Sequence, residues 1–496
     1  MFLLGWVTSQ VVSALEEVRA ELVGVLPPGA VISDPTELGT YCCDGLAGWR
    51  VTPGLAVLPR TTAEVAAVVR ACARRGVPFV ARGSGTGLSG GALPVAEGVL
   101  VVLSAMRRIL SVDPANQVMV VEPGVTNLAM SQAVAAHGLY FAPDPSSQVV
   151  CSIGGNVAEN SGGAHCLKYG FTTHHVLGLE VVLADGQVIE LGGPSPEVPG
   201  YDLRGVFVGS EGTLGIATRI TVRLLRLPES VATLVADFDS TAAAGEAVSG
   251  IIASGIVPAA VEMLDALTIS ACEAATGAGY SLDTAAALVV ELDGPSDEVS
   301  GCFSAVQEIC AGAGATKVRI AADEAERALV WKGRKAAFAA MGRISPGYYI
   351  QDGVIPRTTL GAVLARIASL AADAGLRVAN VFHAGDGNLH PLVLYDPAVA
   401  GEPERAESLA TEIVGLCVEA GGSITGEHGV GVDKACKMPA MFTEADLEVM
   451  ARVRAAFDPA GICNPGKVLP TPRLCGEVPG PYRVHPLEAA GVAERW

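Results

Sequence analysis

"ARGSGTGLSGGALP", Ala81 to Pro94, is the stretch on which the fold turns. It follows a short apolar run and places five glycines between positions 83 and 91. Small residues in succession let backbone N–H groups converge on an anion, so such a loop can cradle phosphate oxygens. Arg82 adds a charge, and Ser84 and Thr86 add hydroxyls. The spacing is neither G-x-G-x-x-G opening a long helix nor a Walker loop with its lysine. The plainer reading is a flexible surface loop. A strand that ends directly in so many glycines argues instead for a group held close to the backbone.

Working outward, "GLAVLPRTTAEVAAVVRACARRGVPFVARGSG" reads as a strand at 55–58, a helix, and a strand at 78–81. Thr61 or Thr62 opens the helix, with Glu64 in its first turn. Strands and helices alternate to about Leu227. Three further glycine clusters follow the first: "PDPSSQVVCSIGGNVAENSGGAHCLKYG" (143–170), "GSEGTLGIAT" (209–218) and "NPGK" (464–467). Several glycine-rich loops in one domain suggest one large ligand with several polar parts, and a dinucleotide fits better than a mononucleotide.

The chain has 496 residues, which predicts more than one core. Its net charge of −19 argues against nucleic acid or an anionic membrane as the main partner. Twelve cysteines are scattered with no C-x-x-C, so an iron–sulfur run or a four-thiolate zinc site is not expected. They read as reduced thiols of a cytoplasmic protein, with a redox role for Cys42-Cys43 as the exception to test. "MFLLGW" lacks a basic lead and makes a poor signal peptide. No apolar run reaches the roughly 18 residues of a membrane span. Helical periodicity marks residues 7–24, and "LRLPES" at 225–230 marks a boundary. From there to 380 strands alternate with Ala-rich helices, an α+β pattern. Helices dominate after 400, and the Pro- and Gly-rich tail after Pro470 is expected to wrap a surface.

The second domain carries its own signal. "VFHAGDGNLHPLV" (381–393) sets two strand-like runs around a Gly-Asp-Gly-Asn turn. A pairing centred between Asp386 and Gly387 puts His383 opposite His390, with Cβ atoms about 5 Å apart. Two imidazoles at that distance can share a metal ion, or can be two polar residues of an ordinary hairpin. "GGSITGEHGVG" (421–431) offers a third ligand, Glu427, with His428 beside it. Two histidines and a carboxylate suit zinc, manganese or ferrous iron, with positions left for a substrate.

Together these motifs resemble the FAD-linked oxidases of the vanillyl-alcohol oxidase and p-cresol methylhydroxylase superfamily. Within it they are similar to the FAD-binding subunits of bacterial glycolate oxidase and to the related D-lactate dehydrogenases. The likeness spans about 40 to 475. It implies an α+β fold: a two-subdomain FAD-binding domain of the p-cresol methylhydroxylase type, an α+β cap (substrate) domain, and C-terminal helices returning to the FAD domain. The corresponding boundaries are a lead-in at 1–50, the FAD domain at 51–228, the cap with the metal site at 229–435, and a closing segment and tail at 436–496.

The resemblance also implies residue roles. Non-covalent FAD would lie on Arg82, Gly83, Ser84, Gly85, Thr86, Gly87 and Gly90, with the pyrophosphate on the first loop. Pro145, Ser146, Ser147, Gly154, Gly155, Asn156, Asn160, Gly162 and Gly163 would line more of it. Glu211, Gly212, Gly215, Ile216 and Asn464 complete the set. His383, His390 and Glu427 would bind a divalent metal, and His428 would act as base.

In "WKGRKAAFAAMGR" (331–343), Arg334 is the group expected on the substrate carboxylate, by resemblance and because a guanidinium grips a carboxylate with two bonds. Its plainer reading is a solvated helix face. "GYYIQDG" (347–353) lacks the lysine that some relatives acting on longer diacids carry, which favours a small monocarboxylate. The expected reaction is metal-assisted oxidation of a small 2-hydroxy acid, glycolate to glyoxylate or D-lactate to pyruvate, with hydride passing to the flavin. A companion flavin-domain subunit and an iron–sulfur subunit would accept the electrons, and through them a cytoplasmic complex would sit peripherally at the inner membrane. The alternatives are a catalytically silent companion subunit and a metallohydrolase. His165, His174 and His175 are expected to pack or hydrogen-bond.

Overall fold

The computed structural model describes residues 2–46, 48–195 and 199–470. The tail after Pro470, expected on a surface, and Cys475 within it lie outside the described residues. Among the described residues no helix is long and apolar enough to cross a membrane.

The first glycine loop hangs from a small sheet. Its strands run in the order Val31–Ile32, Leu55–Val57, Val99–Val102, Phe79–Arg82, and the last three are parallel. The helix Thr62–Ala73 crosses over between Leu55–Val57 and Phe79–Arg82. Thr61 caps it by accepting the Glu64 N–H, and it buries Val65, Val68, Val69 and Cys72 on the sheet. Parallel strands need such a crossover, and the buried face of the helix supplies the core that holds it there. The C-terminal segment returns to this sheet: the Phe79 amide donates to Ile462, and the Asn464 amide donates to Phe79.

A second, antiparallel sheet adjoins the glycine clusters at 143–170 and 209–218. Its order is Ile109–Asp113, Val118–Val121, Ile216–Arg223, Val176–Val182, Val188–Gly192. The short helix Ile153–Glu159 is capped by Ser152 and buries Ile153 and Val157 against it.

The third sheet has nine strands and is built from residues 230–395. Ser230–Phe238, Ala286–Gly294, Ala260–Asp265 and Arg377–His383 are successive neighbours, all antiparallel. Helices cover both faces. Along the strand Ala286–Gly294, Ala286, Leu288 and Val290 join one core cluster while Ala287 and Val289 join another. Alternate residues point to opposite faces, so burial on both sides makes the run continuously apolar.

The histidine hairpin differs from expectation in register. His383 pairs with Asn388, and Asn380 pairs with Pro391, so the turn is Ala384–Gly387 and is centred one residue earlier. His390 therefore stands two places beyond the residue opposite His383. Because side chains alternate with a period of two, this even offset keeps both histidines on one face. Their ring centroids are 5.2 Å apart. The reason for the register is the turn: Gly387 has φ +81 and lies so close to the Ile355 carbonyl that a Cβ would approach it to 2.1 Å. Asp386 caps the return by accepting the Asn388 N–H.

Candidate active site

A cleft of about 740 Å³ opens where the glycine loops face the nine-stranded sheet. Arg82, Gly83, Ser84, Gly85, Thr86 and Gly87 line it, as do Pro145, Ser146, Ser147, Gly154, Gly155 and Asn156. Glu211, Gly212, Gly215 and Ile216 continue the wall. A Cβ at Gly87, Gly155 or Gly212 would meet no protein atom closer than 3.4 Å, so these glycines leave room for something other than protein. The volume, the hydroxyls and the bare backbone fit a dinucleotide such as FAD.

Five residues of the expected set stand behind this wall and shape it. Asn160 ends the helix Ile153–Glu159 in a left-handed conformation and accepts the Thr173 N–H. Gly90 lies against Val432, Gly162 against Phe171 and the Glu427 carboxylate, and Gly163 against Asp144. Asn464 donates to the carbonyls of Gly91 and Glu211, joining two loops.

Lys335, Phe338, Tyr348, Tyr349, Glu427 and His428 face the cleft from the other side. Behind Glu427 sit the histidines. Its Oε1 is 3.3 Å from His383 Nε2 and 3.4 Å from His390 Nε2. One ligand atom from each of the three lies within 4.8 Å of the others. His390 is only 1% exposed, yet its Nδ1 has no hydrogen-bond partner and its Nε2 has only the Glu427 and Asp352 carboxylates at 3.4 and 3.5 Å. A buried polar atom without a partner is costly, and a cation among these three groups would relieve it. The residues present therefore fit a divalent metal.

Two acidic residues that no sequence motif marks complete the arrangement. Glu262, fully buried on the strand Ala260–Asp265, binds His383 Nδ1 at 2.7 Å through one oxygen. Through the other it takes the Arg334 Nε–H at 2.6 Å. This partner orients the imidazole and leaves Nε2 turned to Glu427. Arg334 is thus no solvated residue, being 2% exposed. Its Nη2 is ion-paired with the same Glu262 oxygen at 2.5 Å, and Arg334 lies behind the residues that line the cleft. Asp352 accepts the Thr425 hydroxyl and the amides of Gly426, Glu427 and His428, and Lys434 lies 3.5 Å away. One signal was available for Glu262: a lone carboxylate in the apolar run "PAAVEML". Asp352 had no such signal, because its donors lie about 75 residues away.

The electrostatics separate the roles. Burial pulls His428 down to about 4, against the attraction of Asp352, so its ring is neutral near pH 7. That ring stacks on His390 with centroids 4.9 Å apart. Burial would raise Glu427, but His383 outweighs it through a hydrogen bond and charge and brings the carboxyl to about 2. Asp352 is held well below its usual range, because His428, Lys434 and His390 outweigh the cost of burial.

The remaining histidines have other partners. His165 bridges Asp144 and Glu291, at 3.0 and 3.2 Å. His174 accepts the Phe171 N–H, and His175 meets the Tyr169 carbonyl.

Residues 53–192 match a family of FAD binding domains, and residues 227–468 match the C-terminal domain of FAD linked oxidases. The chain is 52% identical to the glycolate oxidase subunit GlcD of Escherichia coli K12, over 93% of this chain and 92% of that protein. It is 38% identical to the same subunit of Bacillus subtilis, over 91% and 97%. To a probable mitochondrial D-lactate dehydrogenase of Danio rerio it is 33% identical, over 84% of each chain. Among solved structures, substrate-bound p-cresol methylhydroxylase superposes with a TM-score of 0.78 at 18% identity, over 93% of this chain and 98% of that one. The 4-ethylphenol oxidase of Gulosibacter chungangensis superposes at 0.76 with 19% identity, over 92% and 97%. At these identities the two structures establish the fold alone.

Proposed function

The chain belongs to the FAD-linked oxidases, and from that premise we propose that it oxidises a small 2-hydroxy acid, glycolate to glyoxylate or D-lactate to pyruvate. One observation carries the reading: Glu427 and His428 face the cleft that fits FAD, with His383 and His390 directly behind them. The glycolate oxidase subunits and D-lactate dehydrogenases among the relatives support this substrate class.

The redox chemistry belongs to FAD, which when bound accepts the α-hydrogen of the substrate as hydride. A zinc, manganese or ferrous ion held by His383, His390 and Glu427 would acidify the substrate hydroxyl. His428, neutral through burial, receives the hydroxyl proton. Arg334, ion-paired to Glu262 through Nε and Nη2, would present its remaining guanidinium N–H groups to the substrate carboxylate. The segment "GYYIQDG" brings Tyr348 and Tyr349 to the cleft wall and carries no lysine, which supports a short monocarboxylate. Several relatives are named as subunits, and electrons would pass to a companion flavin-domain subunit and an iron–sulfur subunit, by which the complex could sit peripherally at a membrane.

The test is spectroscopic. D-lactate or glycolate, added without oxygen to the FAD-loaded protein, is expected to bleach the flavin band. A flavin that neither acid reduces would favour the silent companion subunit. Unchanged reduction by protein shown to be metal-free would remove the metal from the reading.

A further inference from the structure

The residues that bring Glu427 and His428 to the cleft have no regular secondary structure between Gly426 and Gly431. Their position must come from side chains elsewhere. Asp352 holds the first half, through the amides of Gly426, Glu427 and His428. The second half is held from the opposite direction. Glu211 accepts the Val430 amide at 2.7 Å on one carboxylate oxygen and the Gly431 amide at 2.6 Å on the other.

Glu211 is itself fixed. It is 4% exposed and adopts φ +53, a backbone conformation that a glutamate does not take without support. Its amide donates to Ala158, and its carbonyl accepts Asn464 Nδ2 at 2.6 Å. The buried carboxylate of Glu159 lies alongside. A Cβ on Gly429, next to His428, would fall 2.3 Å from Glu159 and 2.9 Å from Glu211. The loop is therefore pressed onto two carboxylates that leave no room for a side chain.

We propose that Glu211 is a positioning residue for His428, registering the loop to the FAD-binding half as Asp352 registers it to the cap. This rests on the reading of His428 as the base. Both oxygens of Glu211 are committed to loop amides, so its carboxylate acts on the loop. Glu159 fits the same picture. Burial, with the neighbouring Glu211 carboxylate, raises the Glu159 carboxyl well above its ordinary range.

Glu211→Gln tests the proposal. The amide keeps one acceptor and turns an N–H₂ donor toward the other loop amide, which loses its partner. Displacing a base by about 1 Å costs on the order of 100-fold in rate. Three quantities are read on the FAD-loaded protein: the flavin-to-protein absorbance ratio, the anaerobic rate of flavin reduction against D-lactate and glycolate concentration, and amide hydrogen exchange over residues 425–435. The expected result, on the fraction of protein that holds FAD, is a limiting reduction rate about 100-fold lower, little change in apparent substrate affinity, and faster exchange at Val430 and Gly431. A variant that loses FAD but reduces its remaining flavin at the normal rate would overturn the proposal, and so would an unchanged rate. If Glu211→Gln does not fold, exchange in the unmodified protein decides: unprotected amides at Val430 and Gly431 sink the idea. His428→Gln, measured in parallel, tests the underlying reading separately, since normal reduction there removes the base and leaves the exchange result standing.

Discussion

The two histidines and the Glu427–His428 pair reach the same site by different means. His383 ends a strand in the middle of the nine-stranded sheet, and His390 follows two paired residues of the returning strand. Backbone ladders place them, and only register matters. Glu427 and His428 lie on a loop with no ladder, placed by Asp352 on one side and Glu211 on the other. The backbone of a strand-borne group is positioned by its ladder partners, for His383 Asn388 and Glu262; a loop-borne group is positioned by side-chain carboxylates 75 to 220 places away. The first kind should fail above all on a slip of register. The second should fail when a distant carboxylate is altered.

The sharpest way to break the contrast is to insert one residue into the turn Ala384–Gly387. A single-residue slip sends His390 to the opposite face, so on the proposed reading metal binding and activity should vanish while the protein still folds. Metal content and circular dichroism check this together. On the loop side, His428→Gln should retain FAD and lose about 10²- to 10⁴-fold in flavin reduction, read by rapid mixing.

Glu262→Ala examines the support behind the strand-borne ligand. It leaves the Arg334 charge buried without its partner, which should cost about 3–5 kcal/mol in urea unfolding. On the proposed reading it should also weaken metal binding about 10- to 100-fold, measured by competition with a chelator.

Two pH experiments refine the comparison. Burial sets His428 at about 4, so the acid limb of the pH–rate profile should lie near pH 4, well below that of an exposed histidine. A limb near 6.5 would mean that solvent reaches the ring.

The smallest effect concerns the join between the two halves. Burial disfavours the charged form of His165, but Asp144 and Glu291 outweigh it and raise the ring to about 10. A histidine raised on folding adds stability that is complete below its unfolded value of about 6.5 and fades as pH rises through its folded value. His165→Gln should therefore lose stability relative to the parent near pH 6, and the difference should close by about pH 10, as followed by unfolding curves at each pH.

The contrast also explains what could be read in advance. The helix Thr62–Ala73 and its Thr61 cap were legible because capping and periodicity act within a few residues. The hairpin was legible except for its register, which depends on Gly387 meeting the Ile355 carbonyl. That error was even, so the shared face of His383 and His390 survived it. Arg334 was marked, but its burial on Glu262 was not, because an isolated "WKGRK" segment reads as polar.

By itself, the sequence determined the local pieces: the glycine loops, the strand and helix alternation, the paired histidines and the Glu427–His428 dipeptide. Each depends on residue type and on spacing within one element. Only the tertiary structure decided which carboxylates hold those pieces. Glu262, Asp352 and Glu211 come from three separate segments, and buried amides, imidazoles and guanidinium groups draw them to one place. A buried donor must find an acceptor, but nothing in the order of residues along the chain says which acceptor folding will bring near.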